Sequence, residues 1–401
     1  MMNIQQIRKD FPCFETENFP VYLDNAATTQ KPASVLETVN RYYIAGCSNI
    51  HRGNYRLSRG ADRAYADARE RISRFLNGGH GHVVFTKGTT EAINLVVSSF
   101  CAPKLGLGKN VVVTAAEHHS NFLPWRVSCL EAGAELRVAP VGQDGQILMK
   151  EYEARLDRHT VIAAFTETAN STGIRLPIEE MIQAAHAKGI PVLIDGAQSA
   201  AHNGHDLLAL DCEFFCFSGH KLYGPTGIGV LWGKREILEE MRPYQYGGGM
   251  IDGMDRGFQK AAWQKLPDRL EAGTPPVAEA LGLAAAVDYV EGLGMKRILE
   301  HERELTRTTA ERIGSIPGLD VVGRPENSIV AVTLEQASPF DLGVYLDLQN
   351  IAVRCGSHCS LPAMYALGTN GTARISYGLY STQEEVEKLC RALWGFAKKY
   401  G

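Results

Sequence analysis

The sequence predicts an α/β fold, with a mostly parallel seven-stranded sheet in a large domain and a smaller α/β C-terminal domain after it. Three observations carry that prediction. Seven short apolar runs read as strands of one sheet: His82 to Phe85, Asn110 to Thr114, Leu136 to Pro140, Val161 to Phe165, Val192 to Ile194, Phe214 to Phe217 and Gly229 to Trp232. Helical patterns such as Thr90 to Cys101 and Pro177 to Lys188 lie between most of them, and this alternation implies parallel strands with helices on the sheet faces. After Lys234 the texture changes. Helices dominate from Pro275 to about Ile313, and Val321, Ile329 to Leu334 and Ile351 to Val353 read as strands of a second sheet.

The remaining elements follow in order. Ile4 to Phe11 is a short helix, and Val21-Tyr22-Leu23 a short strand. The polar turn Asp24-Asn25-Ala26-Ala27-Thr28-Thr29 leads into an amphipathic stretch over residues 33 to 45. Ser48 to Gly53 is a polar loop, and the spacing of Ala61, Ala64, Ala68, Ile72 and Phe75 predicts a long helix. Tyr246-Gly247-Gly248-Gly249 is flexible or tightly turned, and Gln383 to Tyr400 closes the chain as an amphipathic helix.

At 401 residues the chain is long enough for two domains, and 45% hydrophobic with 21% charged residues is ordinary for a water-soluble protein. A net charge of −4 gives no reason to expect nucleic acid or an anionic membrane as partner. The N-terminal residues lack a signal-peptide pattern, and no apolar run is long enough to span a bilayer, so the reading is cytoplasmic. The nine cysteines are scattered and odd in number, which argues against a disulfide framework. Neither Cys212/Cys216 nor Cys355/Cys359 has the usual zinc spacing, so no metal site is expected.

The chemistry gathers around Ser218-Gly219-His220-Lys221, where a strand ends in a turn. Ligands collect at strand ends in open α/β sheets, and a partly desolvated lysine there can form a Schiff base. Thr89 or Thr90 can cap a helix whose free amides suit a phosphate. Asp195 ends an apolar strand, and a buried carboxylate needs a cationic partner such as a protonated ring nitrogen. His118, after the strand Val111 to Thr114, can stack on a flat ring. Taken singly, each has a plainer alternative: a solvated lysine, a helix cap, a salt bridge, a loop histidine. Together they form the set that pyridoxal phosphate requires. Near the C-terminus, Cys359 lies beside His358 and near Arg354, which can favour a thiolate, and Arg374 in a short strand can clamp a carboxylate.

The chain resembles the group II cysteine desulfurases of sulfur mobilisation, class V aminotransferase-like enzymes of the fold-type I pyridoxal phosphate group. The resemblance rests on Asn49-Ile50-His51-Arg52-Gly53, Thr89-Thr90-Glu91, Glu117-His118-His119, Ser218 through Pro225, Glu271-Ala272-Gly273-Thr274-Pro275 and Arg354-x-Gly356-x-His358-Cys359. It implies a large domain over residues 21–275, with 1–20 and 276–401 forming the small domain. It implies that Lys221 binds pyridoxal 5'-phosphate, Asp195 pairs with the ring nitrogen and His118 stacks on the ring. Asn170 and Gln198 would lie near the phenolic oxygen, with Thr89, Ser218 and His220 on the phosphate. Gly273 and Thr274 would reach the cofactor of a second subunit, giving a homodimer. Arg374, Asn170, His51 and Arg354 would bind the substrate, L-cysteine or L-selenocysteine. Cys359 would attack its sulfur, become a persulfide and pass sulfur to an acceptor protein. The rivals are a selenocysteine lyase, another pyridoxal phosphate β-lyase or an aminotransferase on the same scaffold, and a non-catalytic sulfur-relay protein. The sequence departs from the family pattern at Glu167, where a histidine is usual, at Ser171 and Thr172, where apolar residues are usual, and at Pro276. Cys355 is an additional thiol.

Overall fold

The computed structural model describes residues 2–51, 53–257 and 259–400, so Arg52 of the Asn49–Gly53 motif lies outside the described residues. The main sheet is built from β1 (His82–Thr86), β2 (Asn110–Thr114), β3 (Glu135–Ala139), β4 (Thr160–Thr166), β5 (Val192–Asp195), β6 (Phe214–Ser218) and β7 (Gly229–Gly233). Their spatial order is β1-β7-β6-β5-β4-β2-β3, and β7 alone runs antiparallel to its neighbours.

The period of two along each strand decides the layers. Ile162 and Ala164 of β4, with Phe214 and Cys216 of β6, face one apolar core. Ala163, Phe165, Phe215 and Phe217 face another, on the opposite side of the sheet. Because both faces are covered, the strands read as continuous apolar runs rather than alternating ones. Register then aligns the strand ends. Thr166 of β4 is level with Asp195 of β5, which is level with Cys216 of β6. The carboxyl ends of these strands, and the residues just past them, therefore share one rim.

The smaller sheet contains β8 (Leu319–Val321), β9 (Ile329–Leu334), β10 (Arg354–Gly356) and β11 (Thr372–Ser376), all antiparallel in the order β8-β9-β11-β10. Ile351–Ala352, expected in this sheet, pairs instead in parallel with Val21–Tyr22, which ties the N-terminal strand to the small domain. Leu23 joins the small domain's core with Leu305, Val330, Ile375, Leu389 and Phe396.

Packing continues across residue 275. Helix α1 (Arg56–Phe75) packs against the long helix α2 (Val277–Leu293), and Val277, Ala280, Leu283, Ala286 and Val290 sit in the same core as one face of the large sheet. Ile7 and Phe11 of the N-terminal segment lie in that core as well. α2 is too apolar around its circumference to be left on a surface. Beyond α2, helix α3 (Met295–Ile313) packs against α4 (Gln383–Tyr400).

Leu283 illustrates the consequence. It is fully buried, and its Cδ1 would lie 3.1 Å from a Cβ placed on Gly224 and 3.3 Å from one on Gly219, so it supports the turn carrying Lys221 from beneath. Leu283→Ala should lower unfolding free energy by about 2–5 kcal/mol, the range for emptying a buried leucine site. Urea denaturation of the variant measures this.

Candidate active site

A cavity opens on the rim where the strand ends align. It is lined by Thr89, His118, Asn170, Asp195, Gln198, Ser218, His220, Lys221, Arg354, Cys359 and Arg374. Of the residues given a cofactor- or substrate-binding role by the resemblance, His51, Gly273 and Thr274 do not line it. His51 is exposed, with its N–H donated to Asp62 Oδ1 at 2.5 Å. Gly273 and Thr274 are exposed beside a separate cleft lined by Lys87, Glu91 and Tyr244. Ala26, Ala27, Thr90, Ser120, Thr166 and Ala197 also line the cavity, and sequence reasoning gave none of them a definite place in the site. Their signal was their position beside motif residues, and their size keeps the walls clear.

Lys221 ends a short 3-10 turn after β6 and faces the cavity. Burial lowers its pKa to about 8; Asp195 opposes the shift, while Arg374 and Arg354 reinforce it. Asp195 is fully enclosed, and burial raises its carboxyl. Its Oδ1 accepts the Ala197 N–H at 2.9 Å. His118 is held down to about 4, chiefly by burial and then by Lys221 and His119, so it is neutral near pH 7. Its Nδ1 accepts the Ser120 N–H at 3.0 Å, which places the ring proton on Nε2.

The helix Thr89–Val96 begins beside Ser218. Neither Thr89 nor Thr90 caps it through its side chain. Thr89 donates its N–H to Ser218 Oγ at 2.9 Å, and the two hydroxyls lie 2.8 Å apart. The serine at the end of β6 therefore takes the capping role expected of the threonine. Gln198 Nε2 is anchored on the Ala26 carbonyl at 2.8 Å.

The segment with Cys359 is held at several points. His358 and Cys359 both have left-handed backbone, with φ of 53° and 56°, an unfavourable conformation for residues with side chains. Asn170 Nδ2 donates to the His358 carbonyl at 2.8 Å. His119 N–H donates to the Cys359 carbonyl at 2.7 Å, and Ser360 Oγ to the Glu117 carbonyl at 2.9 Å. Arg354 Nη2 lies 3.7 Å from Cys359 Sγ. Cys355 does not line the cavity; its sulfur packs near Gly343, and burial pushes its thiol up to about 11.

Arg374 is almost wholly buried. It donates from Nη1 to the Asn170 carbonyl and from Nη2 to Asp24 Oδ1, each at 2.9 Å. Its Nε and Asn170 Oδ1 are buried without a partner among the described residues. Unpartnered buried polar atoms on cavity-lining residues are the mark of a site built for a polar ligand. An amine, an enclosed carboxylate, a neutral imidazole and a cluster of hydroxyl groups beside a helix N-terminus fit the aldehyde, ring nitrogen, ring face and phosphate of pyridoxal phosphate.

Among the departures from the family pattern, Glu167 is the one held by ion pairs. Glu167 is buried; burial works to raise it, but His205 at 2.7 Å and Arg175 at 3.2 Å outweigh that and bring its carboxyl down to about 2. Ser171 and Thr172 are buried in the loop that carries Asn170, and Pro276 stands at the start of α2, where no helical N–H is lost.

Residues 21–389 match the aminotransferase class-V family. A cysteine desulfurase from Cronobacter sakazakii is 41% identical, over 98% of this chain and 97% of the relative. Another, from Synechococcus elongatus, is 43% identical over 98% of this chain, which spans 63% of that longer relative's length. The apo structure of a cysteine desulfurase from Thermococcus onnurineus superposes with a TM-score of 0.94 at 33% identity, covering 100% of this chain and 99% of that one. The chain belongs to the aminotransferase class-V family and, within it, to the cysteine desulfurases. Enzymes of this family depend on pyridoxal phosphate.

Ser360→Ala removes one anchor of the strained turn and leaves the Glu117 carbonyl without its partner. It should cost about 1–3 kcal/mol of stability and speed alkylation of Cys359 by iodoacetamide. Peptide mapping of the labelled thiol gives the rate, and an unchanged rate would show that the turn is held without Ser360.

Proposed function

We propose that this protein is a pyridoxal phosphate-dependent cysteine desulfurase that converts L-cysteine to L-alanine and transfers the sulfur through Cys359. The observation that carries the reading is that Lys221, Asp195, Arg374 and Cys359, far apart in sequence, line one cavity. The cofactor, when bound, supplies an electron sink that makes the substrate's Cα proton acidic and its Cβ–S bond breakable.

The residues divide the remaining work. Lys221 would bind the cofactor's aldehyde carbon, with Thr89, Ser218 and His220 on its phosphate, Asp195 on its ring nitrogen and His118 against its ring. Gln198 and Asn170 would lie near its phenolic oxygen. Arg374 holds the substrate carboxylate with a charge-assisted fork, helped by Asn170. Lys221, once released, accepts the Cα proton at Nζ; its lowered pKa supports this base role. Cys359 Sγ then attacks the substrate sulfur. The new bond is S–S, the bond broken is Cβ–S, and the carbon fragment takes up one proton at Cβ, regains at Cα the one held by Lys221, and leaves as alanine. The guanidinium of Arg354, 3.7 Å from Sγ, holds the attacking sulfur at the cavity wall.

The reading includes a homodimer, a sulfur-acceptor protein and a cytoplasmic setting. Exposed Gly273 and Thr274 would contribute to the site of a second copy, and the exposed apolar side chains of Tyr246, Met254 and Trp263 support burial of that region. All nine cysteines are free thiols, in keeping with a reducing compartment. Among the described residues no helix is long and apolar enough to cross a membrane.

Anaerobic incubation with L-cysteine, with alanine quantified and the persulfide mapped by mass spectrometry, tests the reading. Alanine with a persulfide on Cys359 is the expected result; cofactor uptake without either product would refute the assignment. Lys221→Ala should lose the visible absorbance of the bound cofactor and all turnover. Cys359→Ser should keep that absorbance and release no sulfur from cysteine. The pH dependence follows from Lys221. Below about 8 the ammonium form dominates, and above it the free amine can attack. Cofactor uptake by the stripped protein should therefore accelerate as pH rises through that value and then level off. Stopped-flow absorbance measures the rate, and a flat profile would contradict the assigned role of the amine.

A further inference from the structure

Close to the Lys221 turn, a chain of buried polar groups crosses from the large domain to the small one, and the reaction steps above do not use it. Glu302, in the middle of α3, is wholly out of water. Its Oε2 lies 2.5 Å from Nδ1 of the buried His202, and its Oε1 accepts a 3.4 Å hydrogen bond from the Tyr223 hydroxyl. That hydroxyl accepts the Leu379 N–H at 2.9 Å, and His202 Nε2 lies 3.1 Å from Ser328 Oγ.

Each end of this chain bears on the site. Tyr223 stands two residues after Lys221 with φ of 59°, a conformation an aromatic residue keeps only when its surroundings impose it. Its N–H is donated to Thr29 Oγ1 at 3.0 Å, so backbone and hydroxyl are both pinned. His202 lies in the turn that follows Asp195, where its N–H is donated to the Ser199 carbonyl at 3.0 Å. Ser328 accepts the Tyr377 N–H at its carbonyl at 2.8 Å, and both Tyr377 and Leu379 closely follow the strand that carries Arg374. One carboxylate thus touches the Asp195 segment, the Lys221 turn and, through shared partners, the stretch after Arg374. An apolar side chain of similar volume would fill the space without desolvating a carboxylate, so stability alone does not account for Glu302.

We propose that Glu302 is a positioning residue: through Tyr223 and His202 it fixes where Lys221 and Asp195 stand relative to Arg374. The proposal rests on the cysteine desulfurase reading for its kinetic readout. Glu302→Gln keeps the shape and removes the carboxylate; Tyr223→Phe removes only the hydroxyl; Glu304→Gln, on the exposed side of α3, is the control. Each full-length protein would be loaded with pyridoxal phosphate and compared by circular dichroism of the cofactor's visible band, and by kcat and KM for L-cysteine.

Glu302→Gln and Tyr223→Phe should bind the cofactor, show an altered visible dichroic band and lose roughly 10- to 100-fold in kcat, as a small misplacement of reacting groups does. Glu304→Gln should match the unmodified protein. A Glu302→Gln protein that melts earlier but keeps its dichroic band, kcat and KM overturns the proposal. If Glu302→Gln does not fold, Tyr223→Phe decides by the same readouts, and unchanged values there overturn it. If the unmodified protein binds cofactor but forms no alanine, the desulfurase reading fails, while the dichroic bands still decide the positioning role.

Discussion

The burial of the Arg374 guanidinium is the constraint from which the rest of the site follows. A cation taken out of water needs partners, and this one finds them in two distant stretches of chain: the Asp24 carboxylate and the Asn170 carbonyl. Asp24 follows the strand that pairs with Ile351–Ala352, Asn170 lies beyond β4, and Arg374 sits in the small sheet. The contact therefore forms only when the N-terminal segment, the large sheet and the small domain are all in place. Asn170 then passes the constraint on, because its side-chain amide holds the His358 carbonyl beside Cys359. The residues proposed to hold the substrate carboxylate and to attack its sulfur are in this way parts of one hydrogen-bonded assembly.

Electrostatics in the cavity follow from the same enclosure. Lys221, His118, His220 and His358 all hold their protons less tightly than they would in water, with burial the main cause in each case. Neighbouring cations add to the effect on all four, and Asp195 only partly offsets it at Lys221. Such a site favours a neutral amine, neutral imidazoles and an anionic ligand. Those are the conditions that amine attack on an aldehyde and the recognition of phosphate and carboxylate require.

Much of this was legible in the chain itself. Apolar runs of strand length, alternating with helical patterns, marked the seven strands, since a sheet covered on both faces must be apolar along its whole length. Lys221, Asp195 and Thr89 could be found because each stands at the end or just past the end of such a run. The packing of helix α2 was less legible. It follows the Glu271–Pro275 motif in sequence, and its apolar circumference is buried against α1 and the main core. The strand at Ile351 was found but assigned to the wrong neighbours, because a two-residue pairing leaves no trace in local composition.

Periodicity and residue type are local properties, and they were enough to read the fold class, the candidate chemistry and the order of the groups along the rim. How Cys359 is presented depends instead on contacts between distant parts of the chain. Its left-handed backbone is sustained by His119, Asn170 and Ser360, whose partners lie far away in the chain. Tertiary structure also separated Cys359 from Cys355, which look alike in sequence. One lines the cavity; the other is packed beside a helix with its thiol held in the protonated form. Burial and long-range hydrogen bonding make that distinction, and neither is encoded within a few residues of the thiols concerned.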